Sequence, residues 1–235
     1  MSGYVVEFAD VQEAADRLSG MALRTPVLTS PVLDEAAGCS LFLKCEHMQR
    51  VGAFKFRGAW NAISALSEEE AARGVCTHSS GNHAQAVAGA ALEIGVDAHI
   101  VMPKSASEFK VEGVKQLGAF ITFCEPDLKS RENTAAYVLR DTQASFVHPY
   151  DNPNVIAGQG TAVLEFMEHV GEPECSWWKS RGIVRDITLG EFDALITPVG
   201  GGGLLAGTCI AARAIQPNCR LFGAEPTGAD DAARS

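Results

Sequence analysis

The run VGAFKFRGAW, residues 51–60, sets one lysine between two phenylalanines. Lysine is seldom surrounded by that much apolar surface without a partner. Burial favours the neutral amine, and only the neutral amine is nucleophilic. Lys55 therefore calls for a role, which this stretch alone leaves open. A second cluster lies in CTHSSGNHAQAVAGA, residues 76–90, where Ser79, Ser80, Gly81, Asn82 and His83 fall at the start of a helical period. Hydroxyl and amide groups meet the unpaired N–H groups of a first helical turn there, which suits a carboxylate. A plain N-terminal cap is the other reading, since Ser and Asn are the usual cap residues. A structural role is the simpler reading for the His83 ring.

The run ITPVGGGGLLAG, residues 196–207, is the strongest local signal. Four glycines, Gly200, Gly201, Gly202 and Gly203, follow a strand-type run and open a helix. Backbone without Cβ atoms turns tightly and brings N–H groups to an anion, and the helix N-terminus adds its positive end. A phosphate is the natural guest, with a flexible turn as the alternative. Gly201, Gly203 and Ala206 also satisfy G-x-G-x-x-A, with Glu225 about twenty residues on, a dinucleotide pattern. A nicotinamide-dependent oxidoreductase therefore stays open at this point. No G-K-[ST] occurs, which excludes a P-loop.

The elements that must position these groups follow from periodicity. Residues 9–18 read as a helix, 40–47 as a strand and 53–66 as a helix beginning beside Lys55. Strand-type runs at 75–79, 98–102, 119–123 and 145–148 alternate with helical segments at 82–94, 106–117 and 128–142. That alternation implies a parallel sheet with helical crossovers. After the turn cluster HPYDNPN, a helix at 155–170, a strand at 194–199, a helix at 203–215 and a strand at 220–224 form a second unit. The expectation is two α/β lobes: a small substrate-binding lobe of residues 74–149, and a large cofactor-binding lobe of residues 1–73 and 150–235. Residues 171–191 show no clear period and hold Trp177 and Trp178. They read as a surface excursion, or as a docking patch anchored by the tryptophans.

The 235-residue chain has a formal net charge of −10 and no long basic run, which argues against nucleic acid and anionic membrane as partners. A chain of this size buries roughly 70% of its unfolded surface. Seven cysteines are scattered without C-x-x-C or zinc spacing and read as reduced thiols of a cytoplasmic protein. The start MSGYVVEFAD lacks a charged leader, so no signal peptide is expected. The apolar stretch 200–215 is interrupted by Arg213 and is too short to span a bilayer.

GAFKFRGA, SSGNHAQA and GGGGLLAG, in that order, resemble the fold-type II pyridoxal-phosphate enzymes, and more narrowly their serine/threonine dehydratase and serine racemase branch. LFLKCEHMQ, CEPDLKSRENTA, VHPYDNPNVIAGQGT and AEPTGADDA extend the resemblance from about residue 10 to the end. It implies the tryptophan-synthase-β-like architecture of two open, mostly parallel α/β lobes. It also implies a Schiff base between Lys55 and the cofactor aldehyde, with Phe54 packed beside the cofactor. Asn82 would bond the ring hydroxyl, and Gly200 to Gly203 would cradle the phosphate. Ser79, Ser80, Gly81, Asn82 and His83 would hold the substrate, with Ser80 a second proton carrier that hints at racemisation.

The resemblance further implies a divalent ion, Mg2+ or Ca2+, at Glu225, Asp231 and the Ala229 carbonyl, and a solvated acidic loop is the alternative there. ATP as an activator and a homodimer are also implied. The reaction would be β-elimination from serine, threonine or 3-hydroxyaspartate to a 2-oxo acid and ammonia. Chains of this family run further than Ser235, so the large lobe is expected to be incomplete. The residue that bonds the pyridine nitrogen has no counterpart here. A catalytically inactive relative that acts by binding a partner is the remaining alternative.

Overall fold

The computed structural model describes residues 5–171 and 191–234. Residues 172–190, with Trp177 and Trp178 and nearly all of the expected excursion, lie outside the described residues. Helix α1 (Phe8–Leu18) is followed by strand β1 (Val27–Leu28), helix α2 (Pro31–Ala37) and strand β2 (Leu43–Lys44). Two 3-10 turns, Glu46–Met48 and Arg50–Gly52, lead into helix α3 (Lys55–Ser64) and helix α4 (Glu68–Ala72). Strand β3 (Val75–His78), helix α5 (Asn82–Ile94), strand β4 (Ala98–Pro103), helix α6 (Glu108–Gln116), strand β5 (Phe120–Cys124), helix α7 (Leu128–Thr142) and strand β6 (Ser145–Phe146) come next. Helix α8 (Pro153–Gly171), strand β7 (Ala194–Pro198), helix α9 (Gly203–Ile215), strand β8 (Arg220–Ala224) and helix α10 (Asp231–Arg234) complete the chain.

The first sheet has the order β5-β4-β3-β6 and is parallel throughout. Side chains alternate across it, so its two faces serve different helices. Val75, Ile100 and Met102 join a core with Phe56 and Ile63 of α3, Ala84 and Val87 of α5, and Val114 of α6. Cys76 and Val101 point the other way, onto Ala135 and Val138 of α7. The start of α7 is fixed by Asp127, whose carboxylate accepts the Ser130 N–H at 2.8 Å.

Strands β7 and β8 form a parallel pair, and Leu195 packs with Val163, Phe166 and Met167 of α8 and Ala211 and Ala212 of α9. Ile196 and Phe222 of this pair stay exposed, at 70% and 47%. Helix α8 crosses its neighbours at glycines. A Cβ on Gly158 would stand 2.7 Å from the Arg57 carbonyl of α3, and one on Gly207 of α9 only 2.4 Å from the Ile156 carbonyl. Helix α3 packs on both α5 and α8, so the two bodies share it.

Two expected strands differ. Of residues 40–47, only Leu43–Lys44 pair, antiparallel with β1. Beyond them Glu46 turns inward to bond Arg57 and Thr25, and the chain coils into a 3-10 turn. The strand expected at 145–148 ends at Phe146. Val147 still donates to the Cys76 carbonyl at 2.9 Å, but its own carbonyl accepts the Thr77 hydroxyl at 2.7 Å. A side chain thus takes the place of the next rung of the sheet.

Candidate active site

Lys55 is the first residue of α3, and its Nζ donates to the Pro149 carbonyl at 2.7 Å. Its ammonium lies 5.4 Å from the centre of the Phe54 ring. Burial lowers the Lys55 pKa from 10.5 to about 8, so about a tenth of the amine is neutral at pH 7, far more than for an ordinary lysine. The loop before it carries strain: Val51, a β-branched residue, sits at φ 56° in the left-handed region.

A buried ion cluster fixes the other side of this lysine. Arg57 is 1% exposed and grips Glu46 with two hydrogen bonds of 2.8 Å, from Nε and Nη2. The same Nη2 donates to Glu165 of α8 at 3.0 Å, and Lys44 also pairs with Glu165. Burial alone would raise the Glu46 carboxyl, but the hydrogen bonds and charge of Arg57 outweigh it and hold the group below its ordinary range.

Two helix N-termini open beside the lysine's partner. Helix α5 begins at Asn82 after Gly81, and α9 begins at Gly203 after Gly202. Neither cap residue carries a side chain, so neither can satisfy the first N–H groups. The Gly81 N–H donates to the Ser79 hydroxyl at 3.3 Å, which tightens the turn that presents Ser80. Gly202 needs its glycine for a φ of +86°. At Gly200 φ lies outside the left-handed region, and an added Cβ would meet nothing within 4 Å. Its lack of a side chain leaves open backbone for a ligand to approach.

Residues 147–150 bring these pieces together. The Val147 carbonyl accepts the His83 Nε2–H of α5 at 3.2 Å. His148 Nδ1 accepts the Tyr150 and Asp151 N–H groups, at 3.3 and 2.8 Å. Pro149 holds Lys55, and Tyr150 lies against Gly201 and Gly203. The His83 ring is buried and turned to Val147, so what it offers the turn is its backbone N–H. Burial, with the nearby Lys55 charge, pushes its pKa down to about 3 and keeps the ring neutral.

Glu225 and Asp231 follow β8, whose last residue Ala224 accepts the Val199 N–H at 2.9 Å just before the glycine run. The Glu225 carboxylate accepts the Ala232 and Ala233 N–H groups, at 3.1 and 2.9 Å, and so caps α10. Asp231 stands in the first turn of that helix. No group of three or more His, Cys, Asp or Glu gathers there or elsewhere among the described residues. Oxygens of Glu225, Asp231 and the Ala229 carbonyl remain a hard-ligand set, in which an ion would share Glu225 with the two N–H groups.

Sequence reasoning pointed to Lys55, the serine–asparagine turn and the glycine run. It missed Pro149 and Tyr150, read only as a turn, and the Arg57–Glu46–Glu165 cluster. Main-chain carbonyls leave no residue-type signal. A charged residue inside the apolar run 53–66 was the one clue to Arg57.

Residues 18–235 match the family described as pyridoxal-phosphate dependent enzyme. The chain is 44% identical to a serine racemase of Arabidopsis thaliana over 232 residues, 99% of this chain and 64% of that protein. It is 43% identical to the beta-hydroxyaspartate dehydratase of Paracoccus denitrificans, over 99% of this chain and 68% of that one. The solved structure of maize serine racemase superposes with a TM-score of 0.89 at 43% identity, covering 99% of this chain and 65% of that one. The chain thus spans roughly two thirds of the length of these relatives. With its fold, its buried lysine and its glycine-capped helices, the chain belongs to the pyridoxal-phosphate-dependent enzyme family.

Proposed function

We propose that the protein binds pyridoxal 5′-phosphate through Lys55 and eliminates water from small β-hydroxy amino acids, L-serine, L-threonine or 3-hydroxyaspartate. The products are a 2-oxo acid and ammonia, with serine racemisation as a second activity. The observation that carries this is the meeting of Lys55, the start of α5 and the glycine run at residues 147–150. The residues fit the cofactor. Lys55 supplies an amine of lowered pKa for the aldehyde, the run Gly200 to Gly203 supplies main-chain N–H groups for the phosphate with open space at Gly200 and Gly202, and Asn82 supplies an amide for the ring hydroxyl. The names of the relatives support the substrate class.

Bound pyridoxal phosphate supplies an electron sink for the pair left when the α-C–H bond breaks. Lys55 Nζ takes that proton, and burial keeps the amine basic yet uncharged enough to do so. Ser79, Ser80 and the N–H groups of Gly81, Asn82 and His83 hold the substrate carboxylate. Loss of the β-hydroxyl as water and hydrolytic release of ammonia complete the balance: serine gives pyruvate and ammonia. Ser80 serves as the second proton carrier, which racemisation requires.

Residues 74–149 form the small lobe in this reading, and 1–73 with 150–235 the large one. The four-stranded sheet falling wholly within 75–146 supports the division. A cytoplasmic setting is supported by the free thiols of the six described cysteines. Mg2+ or Ca2+ at the 225–231 loop, ATP as activator and a homodimer complete the proposal. The test is turnover. Purified protein with pyridoxal phosphate and each of the three amino acids should release 2-oxo acid, and Lys55→Ala should not. Equal rates in the two proteins, or no turnover of any of the three, would contradict the proposal.

A further inference from the structure

The glycines of the 200–203 run are not equivalent. Gly202 answers to its backbone angle and Gly200 has open space, but Gly201 has neither. Its φ lies outside the left-handed region, so the backbone alone would accept alanine. A Cβ there would stand 2.1 Å from Cδ1 and 2.2 Å from Cγ of the Tyr150 ring, inside any contact distance. A Cβ on Gly203 would stand 3.0 Å from the Tyr150 carbonyl oxygen and 3.1 Å from its Cα. The phenol ring therefore rests on bare backbone at the mouth of α9. The His148 ring stands edge-on to it, with centroids 4.6 Å apart.

Tyr150 directly follows the residue whose carbonyl binds Lys55. We infer that Tyr150 is a positioning residue for the reactive lysine: seated on Gly201 and Gly203, it holds the Pro149 carbonyl over Lys55 Nζ. Two of the four glycines then lack a side chain because of this seat, while Gly200 and Gly202 leave open space on the anion's side. The inference rests on the cofactor role proposed for Lys55 and adds the group that aims it. The 42% exposure of Tyr150 fits a ring that packs by one face and leaves the other open.

A double-mutant cycle with two readouts tests this. The first is the melting midpoint without cofactor. Gly201→Ala should lower it by about 5 °C in the parent protein and by under about 1 °C in Tyr150→Ala. The second is the rate at which added pyridoxal phosphate becomes fixed to Lys55 by borohydride, read by peptide mass. Tyr150→Ala should slow this about tenfold or more, and Tyr150→Phe, which keeps the ring, should restore it.

An equal effect of Gly201→Ala in both backgrounds would overturn the seat. Unchanged labelling in a folded Tyr150→Ala protein would overturn the positioning role. If the parent protein itself takes no label at Lys55, the cofactor reading fails and the positioning role goes with it. The melting cycle still decides whether the glycines seat the tyrosine.

Discussion

Arg57 and Glu46 form a two-pronged ion pair, both prongs 2.8 Å, across the loop that delivers Lys55 to the start of α3. One partner precedes the lysine by nine residues and the other follows it by two. The pair therefore fixes both ends of the strained turn at Val51. Removing one member of a buried pair strands the other's charge, at about 3–5 kcal/mol. Arg57→Ala should destabilise the protein by that amount in urea unfolding. Arg57→Lys should recover little of it, because an ammonium cannot make the planar fork. A loss below about 1 kcal/mol would show that the cluster holds nothing in place.

The lowered pKa of Lys55 sets a pH dependence. Its reactive neutral form increases as pH rises and is half-populated near pH 8. The rate of covalent capture of pyridoxal phosphate should climb from pH 6 and level off above about 8. An ordinary lysine, with a midpoint at 10.5, would keep climbing. A rate still rising tenfold per unit at pH 9 would contradict the burial argument.

His83 gives a dependence on the acid side. It is neutral when folded, with a pKa of about 3, against 6.5 when unfolded. Between those values the unfolded chain binds the extra proton, so stability rises with pH and falls as pH drops from about 6.5 toward 3. His83→Gln retains a donor for the Val147 carbonyl and removes the titration. It should unfold less steeply with acid than the parent. Identical acid profiles would assign the acid sensitivity to other groups.

The α3–α8 crossing has no room for a methyl group. An added Cβ on Gly58 would lie 2.3 Å from Gln159 Nε2 and 2.8 Å from the Val155 carbonyl. Gly158→Ala would press on the Arg57 carbonyl from the opposite side. Each substitution should lower stability by about 1–3 kcal/mol and slow capture at Lys55 as α3 shifts. Gly228→Ala makes a control, because a Cβ there meets nothing within 4 Å and its φ is outside the left-handed region. Its melting midpoint should stay within a degree or two.

A divalent ion at the 225–231 loop would bind the folded form and raise the melting midpoint. Millimolar Mg2+ or Ca2+ should do so in the parent, and the gain should vanish in Asp231→Asn. The same gain in both proteins would place any ion elsewhere.

The alternation of strand-type and helical runs was enough to read the parallel sheet and its crossovers, because buried parallel strands are continuous apolar runs. The glycine run and the serine–asparagine turn were legible as helix N-termini, since those residue types have few other uses there. Residues 40–47 misread as one strand because Glu46 is pulled to Arg57, a tertiary contact with no local signature. Positions 147–148 read as the end of a strand and 149–150 as a simple turn. Their function lies in main-chain carbonyls and in one ring's fit against bare glycine, and neither shows in residue type. The short helices at 31–37 and 68–72 were missed because neither reaches two full turns and neither buries a residue.

The most direct test of the account is to locate the lysine. The protein is incubated with pyridoxal phosphate, reduced with borohydride, digested and sequenced by mass spectrometry. The account predicts a single stoichiometric pyridoxyl label on Lys55 that is absent from Lys55→Ala. A label spread over surface lysines, or one that persists in Lys55→Ala, would show that this buried amine is not the group that binds the cofactor.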